Sequence, residues 1–433
     1  MSDSTALHTD RYELTMVDAA IANGTAYRDA VFETFARRLP GARRYGVVAG
    51  TGRLVEAIMR FRFHDEELTW LAEAGVVRPA TIDWLADYRF SGSVWGYREG
   101  EVYFPGSPVL VVESSFAEGV VLETLALSVL NYDSAVANAA TRMVTAAGGR
   151  PLAEMGSRRA HEGAAVAAAR AAFIAGFGAT SNLEAGRTWG IPTMGTAAHA
   201  FTLLHDSEED AFRAQVDALG AGTTLLVDTY DIPTAIDTAV RVAGPGLGAV
   251  RLDSGDLPTL VVEVREQLDR LGAHDTRITV TNDLDEYSIA GLSGSPVDSY
   301  GVGTSLVTGS GSPAAGMVYK LVAHRNDDGE WVSVAKASVD KVSLGGRKRA
   351  YRRFGPNGLA VSEIVRTSPA GSVQADEREL LTPLLDGGEP VEGVMGAAGV
   401  TAARSHREKA VAELPAEAFR LTRGEPALPT IYE

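Results

Sequence analysis

An alternation that begins near Thr193 constrains the fold of this chain more than any other feature. Short β-branched runs, Thr223–Asp228, Ala249–Asp253, Ile278–Asn282 and Tyr300–Thr304, each end in Asp, Asn or Thr, and stretches with helical spacing of apolar residues lie between them. That pattern belongs to parallel strands joined by crossover helices. The helices carry their own start signals. Asp206, with Glu209 three residues on, has the form of a capping box for a helix ending near Gly220, and Pro233 and Pro258 fall in first turns, where proline is tolerated. Polar residues recurring at strand ends predict an α/β barrel that works at the carboxyl edge of its strands, with a doubly wound sheet as the alternative.

A chain of 433 residues exceeds one typical domain, so two packed units are expected. Helices are expected at Glu118–Asn131 and at Ala160–Ala175, the second almost solid alanine. Upstream of Phe116, strand (Val109–Glu113) and helix (Gly52–Arg60) patterns mix, and beyond Val318 short strands such as Trp331–Ala337 return. This assigns residues 1–117 and 318–433 to one α/β sandwich domain and residues 118–317 to the barrel. Gly371–Gly399, rich in turn formers, is expected to be loop.

Charge and composition remove several function classes. A formal net charge of −16 repels nucleic-acid phosphates, so any anionic ligand needs a local cluster of cations. The absence of cysteine excludes disulfides, thiolate nucleophiles and Cys-ligated metals. No run approaches the roughly 18 apolar residues of a membrane span, and Ser2–Asp10 lacks a secretory pattern, which together predict a cytoplasmic protein with no membrane partner.

Three familiar motifs fail. His161-Glu162 begins a zinc-protease pattern, but Ala165 stands where the second His belongs; Gly176-Phe-Gly178 meets Ser181 where a dinucleotide fingerprint needs glycine; and no Gly-Lys pair forms a P-loop. What remains are strand-end segments: Gly195-Thr-Ala-Ala-His199, Asp228-Thr-Tyr-Asp231, Arg251-Leu-Asp-Ser-Gly-Asp256, Thr281-Asn-Asp283 and Gly301-Val-Gly-Thr304, the last followed by glycines at 309, 311 and 316. Their glycines let backbone N–H groups approach a phosphate, although such loops are often only turns. Arg158-Arg159, at the entry to the alanine-rich helix, is either a solvated helix start or an anion site. Arg251 interrupts a buried-looking strand and suits either a protein carboxylate or that of a ligand. Asp253 and Asp256 are its partners, or holders of ribose hydroxyls and a magnesium ion. His199, at a predicted strand end, reads on context alone as a structural hydrogen-bonder or as a chemical group.

Taken together, Thr9-Asp-Arg-Tyr-Glu-Leu-Thr-Met16, Leu122-Glu-Thr124 with Asn131, Gly156-Ser-Arg-Arg159 and the strand-end segments from Gly195, Arg251, Thr281 and Gly301 resemble, in order, the motifs of nicotinate phosphoribosyltransferases. The resemblance runs from residue 8 to about residue 322. Ala200 departs from the polar residue usual after the family's histidine, and the C-terminal stretch carries no matching motif. The resemblance implies the type II phosphoribosyltransferase fold, an irregular α/β barrel beside an α/β sandwich. It also implies transfer of a ribosyl phosphate from phosphoribosyl pyrophosphate (PRPP) to nicotinate, coupled to ATP, with Mg2+, in a homodimer with shared active sites.

Residue by residue, the resemblance implies that His199 is the phosphorylated histidine, Tyr12 and Thr196 are nicotinate contacts, Arg159 and Arg251 are ligand-binding arginines, and Thr304 contacts PRPP, while Arg158, next to Arg159, can share in stabilising the charge of the leaving pyrophosphate. With them go Ser254, Asn282 and Gly303 as substrate contacts, and Asp253 and Asp256 as catalytic carboxylates that orient the ribose. Nicotinamide phosphoribosyltransferase activity is the near alternative. A barrel enzyme acting on another sugar phosphate is the remote one, since no lysine lies between residues 190 and 315.

Overall fold

In the computed structural model, residues 4–336, 344–367 and 372–433 are described, and they form two compact units, residues 139–311 and residues 1–138 with 312–433. The first of these is a six-stranded sheet with every pairing parallel. Its order is Ala179–Thr180, Leu152–Glu154, Ser299–Val302, Arg277–Val280, Ala249–Leu252, Thr224–Leu226. Leu225, Val250, Leu252, Ile278, Val280 and Val302 are buried, which is why these strands read as continuous apolar runs rather than alternating ones. Each strand stops before its terminal polar residue: Asp228, Asp253, Asn282 and Thr304 lie past the ladder, where they gather at one edge of the sheet.

The sheet curls into half a barrel rather than closing. Between its two edge strands the chain offers only one parallel bridge, Thr180 to Thr193, because Gly195-Thr-Ala-Ala-His199 does not extend. The crossover helices Glu208–Leu219, Ile232–Ala243 and Leu257–Arg270 form where expected, with Pro233 and Pro258 in first turns. The cap of the first is Ser207, not Asp206: the Ser207 hydroxyl accepts the Asp210 N–H at 3.1 Å.

The other unit interleaves both ends of the chain. Asp29–Ala36 pairs antiparallel with Met317–Arg325 and with Leu110–Ser115, and Ser93–Tyr97 pairs with Leu381–Asp386 in the same seven-stranded sheet. Leu381–Asp386 corrects the expectation of loop over 371–399. Its leucines are buried, and Gly387 and Gly388, both at positive φ, make the tight turn that follows it. Gly371 lies outside the described residues. So does Ala337; the strand from Trp331 ends at Ser333.

The units divide at 138/139 and 311/312 rather than at 117/118 and 317/318. The reason lies in the helix Glu123–Ala147, whose Leu125, Ala126, Val129 and Leu130 join the same apolar core as Ala315 and Met317. Residues 116–147 as a whole are long and apolar enough to cross a membrane, which no unbroken run in the sequence suggested. About two thirds of the qualifying window (67%) is buried inside the protein, so the segment reads as a core helix whose apolar face packs on protein.

Buried ion pairs lock the motif-free C-terminal strands to the N-terminal ones. Lys348 Nζ donates to Glu33 Oε2 at 2.6 Å with both side chains buried, and the buried Arg352 lies 3.7 Å from the Glu101 carboxylate and donates to the Val102 carbonyl at 2.8 Å. Burial pushes the Glu33 carboxyl up, and Lys348 opposes the shift. Removing one partner strands the other charge in a dry interior. Lys348→Ala is therefore expected to destabilise folding by about 3–5 kcal/mol in urea unfolding, more than Lys348→Ala with Glu33→Ala together.

Candidate active site

All six strands run the same way, so the residues that follow them gather at one edge. There a chain of hydrogen bonds links three strand ends. Asp228, after Thr224–Leu226, accepts the Asp253 backbone N–H and the Ser254 hydroxyl, both at 2.8 Å through Oδ2, and Asp253 in turn accepts the Thr281 hydroxyl. The other oxygen of Asp228 meets His199 Nε2 at 3.2 Å. The Asp228 side chain is only 1% exposed, whereas His199 is 40% exposed. A fixed, buried carboxylate thus holds one nitrogen of a ring that is itself partly exposed. His199 does not end a strand, as expected, but is the first residue of a short helix, His199–Leu204.

Arg251 stands in its strand half-buried, and Nη1 donates to the Thr196 hydroxyl at 2.8 Å. Its Nε is buried and has no hydrogen-bond partner. Burial pulls the guanidinium below its ordinary value, Asp253 and Asp228 oppose that pull, and Arg158 adds to it. Two cations close enough to repel, one of them with an unsatisfied donor, form an arrangement that can hold an anion.

Arg158 and Arg159 sit on a separate turn, Ser157–Arg159, not in the first turn of the alanine-rich helix. That helix begins at Glu162 and is capped by His161, because Ala160 is extended. The arginine pair is therefore not the solvated start of that helix. What places the turn is Glu154, whose buried carboxylate accepts the Gly156 N–H and the Thr180 hydroxyl, and whose pKa burial raises. Against this turn packs the segment carrying Gly303 and Thr304. A Cβ on Gly156 would lie 2.3 Å from Val307 and 3.0 Å from the Gly303 carbonyl, so only glycine permits the approach.

Asn282 accepts the Asp283 N–H at 2.7 Å and Asp256 accepts the Thr259 hydroxyl at 2.7 Å; neither joins the Asp228 chain. Ser310, in the glycine loop, holds a left-handed φ of 52° and donates to Glu286. Tyr12 belongs to the other unit, exposed near the start of the helix Arg11–Asn23. Among the described residues no three His, Asp or Glu side chains are grouped as a metal site. The sequence reading missed Asp228 as the partner of His199, though its place at a strand end was visible. It also missed Glu154, for which no sequence signal existed.

A half-barrel that gathers cations, carboxylates and a histidine at its strand ends, in a chain whose other unit is a sandwich made from both chain ends, is the type II phosphoribosyltransferase fold. Residues 7–131 match the N-terminal domain of nicotinate phosphoribosyltransferase (NAPRTase). The chain is 56% identical over 437 residues to nicotinate phosphoribosyltransferase pncB1 of Mycobacterium tuberculosis, covering 99% of this chain and 95% of that one. It is 39% identical over 361 residues to the nicotinate phosphoribosyltransferase of Bacillus subtilis, covering 81% and 73%. The crystal structure of human nicotinic acid phosphoribosyltransferase superposes with a TM-score of 0.83 at 26% identity, covering 98% of this chain and 97% of that one. The chain belongs to the nicotinate phosphoribosyltransferase family.

Proposed function

We propose that the protein joins nicotinate to PRPP, giving nicotinate mononucleotide and pyrophosphate, with ATP hydrolysed through a phosphohistidine at His199. The observation that carries this is the Arg251–Thr196 contact with Arg158 beside it, an unneutralised fork at the strand edge where the His199–Asp228 pair also sits. A planar fork suits the nicotinate carboxylate. The leaving pyrophosphate falls to Arg158, Arg159 and the Gly303–Thr304 turn, where developing charge meets fixed donors. Asp253 and Asp256 face the ribosyl ring, with Ser254 and Asn282 alongside, and Tyr12 stacks on the pyridine. Mg2+ suits the same edge: with no three-ligand protein cage among the described residues, the donors fit an ion carried by phosphate oxygens and held by one or two carboxylates. It would offset phosphate charge. The reaction belongs to the cytoplasm, in a homodimer.

An assay with nicotinate, nicotinamide and quinolinate as rival substrates tests the reading. Nicotinate should give by far the highest kcat/KM, and a preference for nicotinamide would replace the assignment. The two arginine roles separate by mutation. Arg251→Lys keeps the charge but loses the fork, and is expected to raise the KM for nicotinate about tenfold or more, with little change for nicotinamide. Arg159→Ala should instead raise the KM for PRPP. Equal losses for both pyridines in the first variant, or a nicotinate-only effect in the second, would show the roles exchanged.

A further inference from the structure

The turn Ser157–Arg159, on which Arg158 and Arg159 stand exposed, is too short to hold itself. A 3-10 helix of this length closes little more than one internal hydrogen bond, here from the Arg159 N–H to the Gly156 carbonyl at 2.8 Å, and Gly156 supplies no side-chain cap. Its support comes from the neighbouring strand. Leu152–Glu154 pairs in parallel with Ala179–Thr180, and the register sets Glu154 against Thr180. Residues so paired send their side chains to the same face. The buried Glu154 carboxylate therefore accepts the Thr180 hydroxyl through one oxygen and the Gly156 N–H through the other. The Thr180 hydroxyl oxygen in turn accepts the Asn182 N–H at 2.9 Å, and Asn182 Nδ2 donates to the Ser157 hydroxyl oxygen at 3.0 Å. The circuit closes on the residue just before the arginines. Asn182 has a second duty: its Oδ1 accepts the Ala185 N–H at 2.9 Å and caps the helix Leu183–Trp189.

We infer that Asn182, acting through Ser157, is a positioning residue for the arginine turn, and that it thereby sets the affinity for the pyrophosphate group of PRPP. The inference rests on the reading of Arg158 and Arg159 as contacts of that group, and deepens it. Arginine side chains are long and rich in rotamers, so the place from which they reach is decided by the backbone below them. Gly156 is held by Glu154 and packed against Gly303 and Val307, while the Ser157 side chain is held by Asn182. With both residues fixed, the two guanidinium groups start from set points beside the Gly303–Thr304 turn, and a ligand with two linked phosphates meets donors already in place. Without the Asn182 contact the turn must be ordered at each binding event. That cost falls on PRPP and on pyrophosphate. It spares nicotinate, whose proposed contacts Thr196 and Arg251 come from other segments and hold each other.

The two duties of Asn182 separate by mutation. Asn182→Ser keeps the helix cap, which serine serves about as well, but is too short to reach Ser157; Ser157→Ala removes the acceptor and leaves the cap untouched. Each should raise the KM for PRPP about three- to tenfold, the worth of one lost hydrogen bond, and weaken inorganic pyrophosphate as a product inhibitor by a similar factor. Over the same variants kcat and the KM for nicotinate should move by no more than about twofold, as expected when ground-state binding alone is lost. The double variant should be no worse than the weaker single one, because both break the same contact. Losses that multiply in the double variant, an unchanged KM for PRPP in Asn182→Ser, or kcat and both KM values worsening together would each show that Asn182 does not act on the turn through Ser157, and would overturn the inference. If Arg159→Ala itself leaves the KM for PRPP unchanged, the parent reading of the turn fails instead, and this inference with it.

Discussion

Replacing His199 by alanine is expected to abolish ATP hydrolysis and covalent incorporation of phosphate, while slow mononucleotide synthesis from nicotinate and PRPP persists. The geometry says why the two should separate. Asp228, nearly unexposed, is fixed by the Asp253 N–H and the Ser254 hydroxyl and meets His199 Nε2. With Nε2–H donating to that carboxylate, the lone pair lies on Nδ1, on the partly exposed ring. On the proposed reading Nδ1 is the atom that would take the terminal phosphoryl group: the nitrogen–phosphorus bond would form as the bond to ADP breaks, and water would later remove the phosphate. None of this touches the pyridine or the anomeric carbon. Asp228→Asn should reduce labelling on the order of 100-fold or more without removing the histidine, since an amide neither fixes the tautomer nor balances the charge of the phosphorylated ring. Labelled phosphate from ATP appearing on the His199→Ala protein at wild-type level would refute the assignment.

Which parts of this site the sequence showed follows from how each residue is placed. Arg251 and Asp253 were legible as candidates because a charge within or just after an apolar strand demands a partner, from the protein or from a ligand, and parallel strands deliver their ends to one edge. The Gly156 and Gly303 turns were legible as glycine-containing motifs, but not the reason for the glycines, which is the contact between the two turns. Asp228 escaped as a working residue because its partners, His199, Asp253 and Ser254, come from two other segments, and a single sequence records no such meeting. The barrel was legible from polar strand ends, and the parallel sheet forms half of one, because the segment before His199 has that polarity without an extended backbone. The strand Leu381–Asp386 was hidden by the glycines around it. Its pairing partner lies almost at the other end of the chain, beyond the reach of any local pattern.

Two inactive variants, Tyr12→Ala and Arg251→Ala, are expected to complement each other when unfolded and refolded as a mixture. The expectation follows from assembling the site across subunits. Tyr12 and Arg251 lie in different compact units, and the ring of Tyr12 is about half exposed, unusual for a residue meant to cover an aromatic ligand. The helix that begins at His199 also ends in two exposed leucines, Leu203 at 62% and Leu204 at 80%, an adjacent apolar pair at the site that a second chain would cover. If each site takes Tyr12 from one chain and Arg251 from the other, a mixed dimer has one site with both defects and one with neither. Random reassortment makes half the dimers mixed, so about a quarter of all sites recover, against essentially none in either parent. The yield of mixed dimers is measured independently by tagging one variant and capturing both chains. If mixed dimers form in that proportion and activity stays at the parental level, each site is built within one chain, and the exposed face of Tyr12 must be covered by its own.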